Sequence, residues 1–247
     1  MIDVLLLPGT GYPRGGDGVC EGFAAALDRR RFRPQIVSYP AEFGWDGAPY
    51  ADSREAGRAA LDGAVARSER CVLAGYSQGA VIAGDYARDY ELHLQRGIAG
   101  GRIAGVALIA DGRRPRGAGT PGMPVATGYG IVDQRPIEGH SFPVFWAAAE
   151  GDGITSLPAG NPLRTVADLA EWFSIRSLAD SAKWVAKGFD RIRRGQMQPW
   201  WKLEHHRDWD GAAAYLRGYL WDGRHTTDYT RHGHVQALAN AINREVR

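Results

Sequence analysis

Residues 71–84 read CVLAGYSQGAVIAG, and the way this stretch folds decides the architecture of the chain. Cys71 to Ala74 is apolar throughout and has no helical spacing, which predicts a short strand buried on both faces of a parallel sheet. From Ala80 a helix is expected to run to about Gln95. Between the two lies Gly75-Tyr76-Ser77-Gln78-Gly79, a G-x-S-x-G pattern. In a strand–turn–helix setting this is a nucleophile elbow: the glycines let two backbones pass closely, and the serine sits on a strained turn with its hydroxyl raised above the sheet. Five residues alone also fit an ordinary Gly/Ser turn. The reading therefore depends on whether the rest of the chain supplies a base, an acid and an oxyanion hole.

Working outward, strands and helices alternate. Asp3 to Leu7 is a first strand, followed by the loop PGTGYPRGG at 8–16 and a helix from about Val19 to Arg29. Pro34 to Tyr39 is a second strand, and a helix follows from about Asp52 to Ser68, with Asp52 and Glu55 spaced as a capping box. Beyond the elbow, Ile103 to Ala110 and Phe142 to Ala149 are strands. This order implies a mostly parallel sheet with helices on both faces. The Gly/Pro/Arg-rich stretch DGRRPRGAGTPGMP at 111–124 reads as a solvated surface loop, with Arg113, Arg114 and Arg116 along an open edge as the alternative.

After Gly153 the composition shifts. Leu169, Trp172, Ile175, Leu178, Val185 and Phe189 recur at helical spacing, with Trp200 and Trp201 beyond them. A helix packing its apolar face on the core accounts for most of this stripe. The segment from about 158 to 222 is nonetheless a long helical insertion late in an α/β chain, placed where it can roof an active site with aromatic side chains.

Composition narrows the function classes. The chain has 247 residues, 44% hydrophobic and 23% charged, and a net charge of +2 on 30 basic and 28 acidic side chains. That balance gives no reason to invoke nucleic acid. Cys20 and Cys71 are too few for a disulfide framework, lack metal-ligand spacing, and read as two small buried apolar residues. His205 and His206 lie in an acidic–basic cluster without metal-ligand spacing and read as a solvated turn; His93 and His140 read as structural or exposed. No metal or cofactor is expected. The opening MIDVLLLPGT lacks a basic leader and is broken by Pro8-Gly9, so no export signal is expected, and no segment reaches membrane-spanning length.

A serine hydroxyl needs an imidazole to take its proton, and the imidazole needs an acid to fix its tautomer. Asp152, in AAAEGDGI, follows the last strand and is taken as the acid; Asp111, ending the preceding strand, is its rival. His225, His232 and His234 all lie in GRHTTDYTRHGHVQALANAI at 223–242, and the residues alone leave the choice among them open. One oxyanion donor is expected to be the backbone N–H of Gln78. The second is expected from Gly9-Thr10-Gly11, with Thr10 offering both its N–H and a hydroxyl. The same PGTG lacks the spacing and lysine of a phosphate loop.

GYSQGA at 75–80, PGTG at 8–11, RFRPQIVSYPAEF at 31–43, GDGI at 151–154 and the late helical insertion together resemble the lysin B family of mycobacteriophages, which are cutinase-like α/β hydrolases. The resemblance covers essentially the whole chain, although GYSQGA is shared with cutinases and other actinobacterial serine esterases. It implies a single α/β-hydrolase domain over 1–247 that hydrolyses the ester joining mycolic acids to arabinogalactan. It implies Ser77 as nucleophile, Asp152 as acid and His225 as base, acting as a monomer on mycolyl-arabinogalactan and other lipid esters without membrane insertion. Made in the host cytoplasm, such an enzyme reaches the envelope once the membrane has been permeabilised. The competing expectations are an actinobacterial cutinase-like or lipase-like esterase acting on other lipid esters, and an inactive fold retained to bind the envelope.

Overall fold

The computed structural model describes residues 1–43, 48–97, 100–137, 141–164 and 211–247, the last stretch without 213, 216, 219 and 220. Among these, β1 (Ile2–Leu7), α1 (Val19–Ala25), β2 (Phe32–Ile36), α2 (Tyr50–Arg67), β3 (Cys71–Tyr76), α3 (Gln78–Gln95), β4 (Ile103–Ile109), β5 (Val144–Ala147), α4 (Thr227–Arg231) and α5 (His234–Glu245) follow one another along the chain. The strands form a five-stranded sheet in the order β2-β1-β3-β4-β5, with every pairing parallel.

Side-chain alternation explains why both faces are covered. Val4 and Leu6 on β1, with Val72 and Ala74 on β3, pack against Phe23 of α1 and Leu238 and Ile242 of α5. Leu5, Leu7 and Leu73 point the other way, onto Leu61 of α2 and Ile82 and Ala83 of α3. Neighbours along a strand thus feed opposite cores, and the strands read as unbroken apolar runs. Cys20 and Cys71 are free and buried, one in each of these clusters.

Some boundaries differ from expectation. β2 is shifted towards the N-terminus because its register is set by β1, with Ile2 opposite Phe32 and Leu6 opposite Ile36. Pro34 is tolerated there because β2 is an edge strand, where a missing N–H removes no ladder bond. The helix expected to reach Arg29 stops at Ala25. α2 starts at Tyr50 behind Pro49 with no side-chain cap, so Asp52 lies in the first turn and the expected capping box does not form. There its carboxylate still faces the positive end of the helix dipole. The helical insertion expected over 158–222 falls mostly outside the described residues, as do His140, His205, His206 and Trp172 to Trp201. No helix among the described residues is long and apolar enough to cross a membrane.

The strand order reverses at β1, which has β2 on one side and β3 on the other. Loops leaving the carboxyl ends of β1 and β3 therefore diverge across a crevice, the place where open parallel sheets bind ligands. PGTG leaves β1 and the Ser77 turn leaves β3 at this crevice.

Candidate active site

Ser77 joins β3 to α3 with φ 55° and ψ −116°, a left-handed conformation costly for a residue with a Cβ. Its own N–H donates to the Ile109 carbonyl on β4 at 2.9 Å, which ties the turn to the sheet. The two glycines are steric necessities. A Cβ on Gly75 would lie 2.2 Å from the Gly79 carbonyl oxygen, and one on Gly79 would lie 2.1 Å from the Leu7 carbonyl oxygen. Helix α3 can pack this tightly on β3 and β1 only with glycine at both places.

Two other segments converge on the serine hydroxyl. His225 Nε2 lies 2.9 Å from Ser77 Oγ, while His225 Nδ1 lies 3.1 and 3.0 Å from the two carboxylate oxygens of Asp152. Asp152 is fully buried. Its Oδ1 accepts the Ile154 N–H at 2.9 Å, and its Oδ2 accepts the Tyr229 hydroxyl at 2.6 Å. Tyr76, the residue before the serine, donates its hydroxyl to the His225 carbonyl at 2.6 Å and stacks its ring on the imidazole at 5.3 Å. Tyr76 does not stand out in the sequence, being the variable second position of the elbow pattern, and Tyr229 is legible only as the aromatic that follows His225 before the closing helix. The only available signal was that Tyr229 follows His225 by four residues.

The alternatives sit elsewhere. Asp111 Oδ2 accepts the Trp146 indole N–H at 3.1 Å and its Oδ1 accepts the Arg113 N–H at 2.9 Å, so its oxygens are engaged beside β5. Burial pushes its carboxyl up to about 6 against these two hydrogen bonds. His232 is exposed and stands 3.9 Å from Asp228. His234 packs on the outer side of the Tyr229 ring at 5.6 Å, where burial and then the nearby His232 make it less basic than usual. His93 is exposed near the end of α3.

The first loop is held close to the elbow. The Tyr39 hydroxyl donates to the Pro8 carbonyl at 2.7 Å, and the Thr10 hydroxyl faces the Gln78 side-chain oxygen at 3.4 Å. A Cβ on Gly9 would strike the Tyr76 ring at 2.7 Å, so the loop can lie flat against the elbow only with glycine there. The N–H groups of Gly9, Gly11 and Tyr12 are engaged by Asp17, Ala41 and Gly9 respectively. That of Thr10 has no bond among the described residues, and that of Gln78 opens α3, where a first-turn N–H lacks a helical partner.

The stretch 111–124 is solvated only in part. Of its arginines, Arg113 and Arg114 are buried and Arg116 is exposed, lying over the Tyr129 ring at 5.5 Å. Arg114 donates to the carbonyls of Thr155 at 2.8 Å, Ala118 at 2.8 Å, Thr127 at 2.9 Å and Ala126 at 3.1 Å. Arg164, also fully buried, donates to the carbonyls of Pro158 at 3.0 Å and of Tyr129 and Ile131 at 3.2 Å, with its guanidinium 3.6 Å from the Tyr129 ring centroid. Segments without regular structure expose backbone acceptors, and a guanidinium's fan of donors satisfies several at once. Among the described residues, no group of three His, Cys, Asp or Glu side chains is placed to hold a metal ion.

Comparison with known proteins places this geometry in context. The structure of lysin B from mycobacteriophage D29 superposes with a TM-score of 0.60 at 23% identity, covering 93% of this chain and 90% of that one. The fold is that of the α/β hydrolases. A cutinase-like protein from Cryptococcus sp. aligns over 79% of this chain and 95% of its own at 18% identity, with a TM-score of 0.44. In sequence, the carboxylesterase Culp6 homolog of Corynebacterium glutamicum is 42% identical over 77 residues, which is 28% of this chain and about a quarter (24%) of that protein's length. No family model matches the chain.

Proposed function

We propose that the protein is a serine esterase acting on lipid esters by an acyl-enzyme mechanism, with Ser77, His225 and Asp152 as its catalytic triad. The observation that carries this reading is the 2.9 Å approach of His225 Nε2 to Ser77 Oγ, on a serine held at φ 55° above the sheet. As Ser77 Oγ attacks the ester carbonyl, its proton passes to Nε2, and the buried Asp152 carboxylate stabilises the imidazolium through Nδ1. Charge developing on the carbonyl oxygen is met by the N–H groups of Gln78 and Thr10, donors fixed before the reaction starts. The imidazolium then protonates the departing alcohol, and water activated by the same imidazole releases the acid and restores Ser77.

We further infer the ester between mycolic acid and arabinogalactan as the natural substrate, cut in the host envelope by a monomer made in the host cytoplasm. What supports this is the lysin B likeness in RFRPQIVSYPAEF and the late helical insertion, beside GYSQGA, PGTG and GDGI, together with the fold similarity over 93% of the chain. A second reading is supported by the carboxylesterase-like stretch at 42% identity: an esterase of other lipid esters with the same triad. The inactive envelope-binding reading is disfavoured by a complete Ser–His–Asp constellation, which binding alone does not need.

Hydrolysis of p-nitrophenyl butyrate by wild type and by Ser77→Ala tests the esterase reading; equal rates would remove it. Incubation with purified mycolyl-arabinogalactan, followed by thin-layer chromatography, tests the substrate. Free mycolic acid is expected, and its absence alongside cleavage of short esters would favour the second reading.

A further inference from the structure

We propose that Tyr229 is a positioning residue for Asp152, its phenolic hydroxyl holding the buried carboxylate turned towards His225 Nδ1. The proposal rests on the esterase reading given above. The direction of the hydrogen bond follows from the neighbours. The Ala149 N–H donates to the Tyr229 oxygen at 3.2 Å, so the single phenolic proton is left for Asp152 Oδ2, 2.6 Å away. A fully buried carboxylate needs hydrogen-bond donors for both of its oxygens. Here Ile154 supplies one on Oδ1, Tyr229 one on Oδ2, and His225 Nδ1 faces both oxygens.

Chain connectivity adds to the case. His225 and Tyr229 are four residues apart, and the short helix α4 brings the later one back beneath the acid. One segment therefore delivers both the group that the acid orients and the group that orients the acid. Tyr229 is itself fully buried, its ring edge-on to Tyr76 at 6.4 Å and tilted against His234 at 5.6 Å. A phenylalanine fills the same apolar space, so what it removes is the hydroxyl's two bonds, one to the carboxylate and one from the Ala149 N–H. Burial, then the Asp152 charge, push the phenol well above its ordinary range, and it stays protonated as a donor.

The consequence falls on the partner of the base. Among the described residues, Asp152 Oδ2 has Tyr229 and His225 as its donors, so without the phenol the carboxylate is free to turn and the imidazole loses its fixed partner. Charged or titratable groups near the pair, among the described residues, include Ser77 and Tyr76 on the elbow side, Arg114 on the loop after β4, Asp228 and Arg224 on the histidine segment, and His234 on α5.

The test is Tyr229→Phe, read in two ways. With p-nitrophenyl butyrate, kcat is expected to fall on the order of tenfold while KM changes less than about twofold, the loss of one hydrogen bond to a charged group. By NMR, the downfield Nδ1–H signal of His225, which reports its bond to Asp152, is expected to shift upfield or broaden. A folded variant with wild-type kcat and an unmoved Nδ1–H signal overturns the proposal. Should Tyr229→Phe fail to fold, 3-fluorotyrosine encoded at 229 keeps the ring and strengthens the donor. The Nδ1–H signal must then move, and an unmoved one overturns the proposal equally. If wild type cleaves no ester yet the signal responds as described, the positioning stands and the esterase reading alone fails.

Discussion

The two sides of the site are held in place by different physics. On the nucleophile side, Ser77 is fixed by backbone: a strand, a turn bonded to the next strand, and a helix packed so closely that Gly75 and Gly79 admit no Cβ. On the acid side, Asp152 follows a short strand and sits among loops from 111 to 137 and 148 to 164 with little regular structure. What holds those loops is side chain to backbone: Arg114 and Arg164 each gather several carbonyls, and Ser156 donates to the Asp152 carbonyl at 2.8 Å. A backbone-built elbow tolerates removal of the serine hydroxyl, whereas a side-chain-built loop system does not tolerate removal of its donors.

Replacing Ser77, the proposed nucleophile, is the sharpest way to exploit this difference. Ser77→Ala is expected to lower kcat on p-nitrophenyl butyrate by roughly 10⁴ to 10⁶, because triad members act as a unit. His225→Ala is expected to come close to it, while His232→Ala and His234→Ala stay within a few-fold of wild type. Thermal midpoints of the Ser77 variant should match or exceed that of wild type, since alanine relieves no packing and removes only a hydroxyl from a strained turn. A markedly lowered midpoint would show that the serine side chain is part of what holds the elbow.

The reverse experiment uses Arg114. Arg114→Ala leaves the Thr155, Ala118, Ala126 and Thr127 carbonyls without their buried donor, an expected loss of about 3–5 kcal/mol in urea unfolding. Arg114→Lys should recover little of it, because one ammonium cannot reproduce the planar fork. Arg116→Ala, two residues along but exposed, should cost under about 0.5 kcal/mol. Similar losses for Arg114 and Arg116 would erase the proposed distinction between the two sides of the site.

This contrast also explains what could be read in advance. The apolar runs of β1, β3 and β4, their alternation with helices, and the elbow are local patterns with one physical solution each, and they were legible. Asp152 was legible as one of two strand-end acids, since topology defines Asp111 equally well. The buried arginines were not: Gly, Pro and Arg in one stretch look alike whether the guanidinium meets water or carbonyls, and the carbonyls that answer Arg114 come from as far as Thr155. The ends of β2 and α2 were misplaced for a similar reason. Pairing with β1 and the preceding Pro49 set those boundaries, overriding the residues at the boundary itself.

The two strand-end carboxyls separate activity from stability in the same way. Asp152→Asn is expected to cost on the order of 10³ to 10⁴ in kcat, through the wrong imidazole tautomer, and Asp111→Asn only a few-fold. Asp111 should instead register in stability. Burial pushes its carboxyl up from an ordinary 3.8 to about 6, so between those values the folded state holds a proton that the unfolded chain has released. Stability contributed by that proton is complete below about pH 3.8 and is lost as pH rises through about 6. At ~1.4 kcal/mol per pH unit the loss amounts to at most about 3 kcal/mol. Urea midpoints for wild type should therefore carry a falling contribution from pH 4 to 6, and Asp111→Asn should remove it while leaving the m-value unchanged. An identical pH dependence in the variant would mean that Trp146 and Arg113 hold Asp111 charged in the folded protein, leaving its burial without thermodynamic consequence.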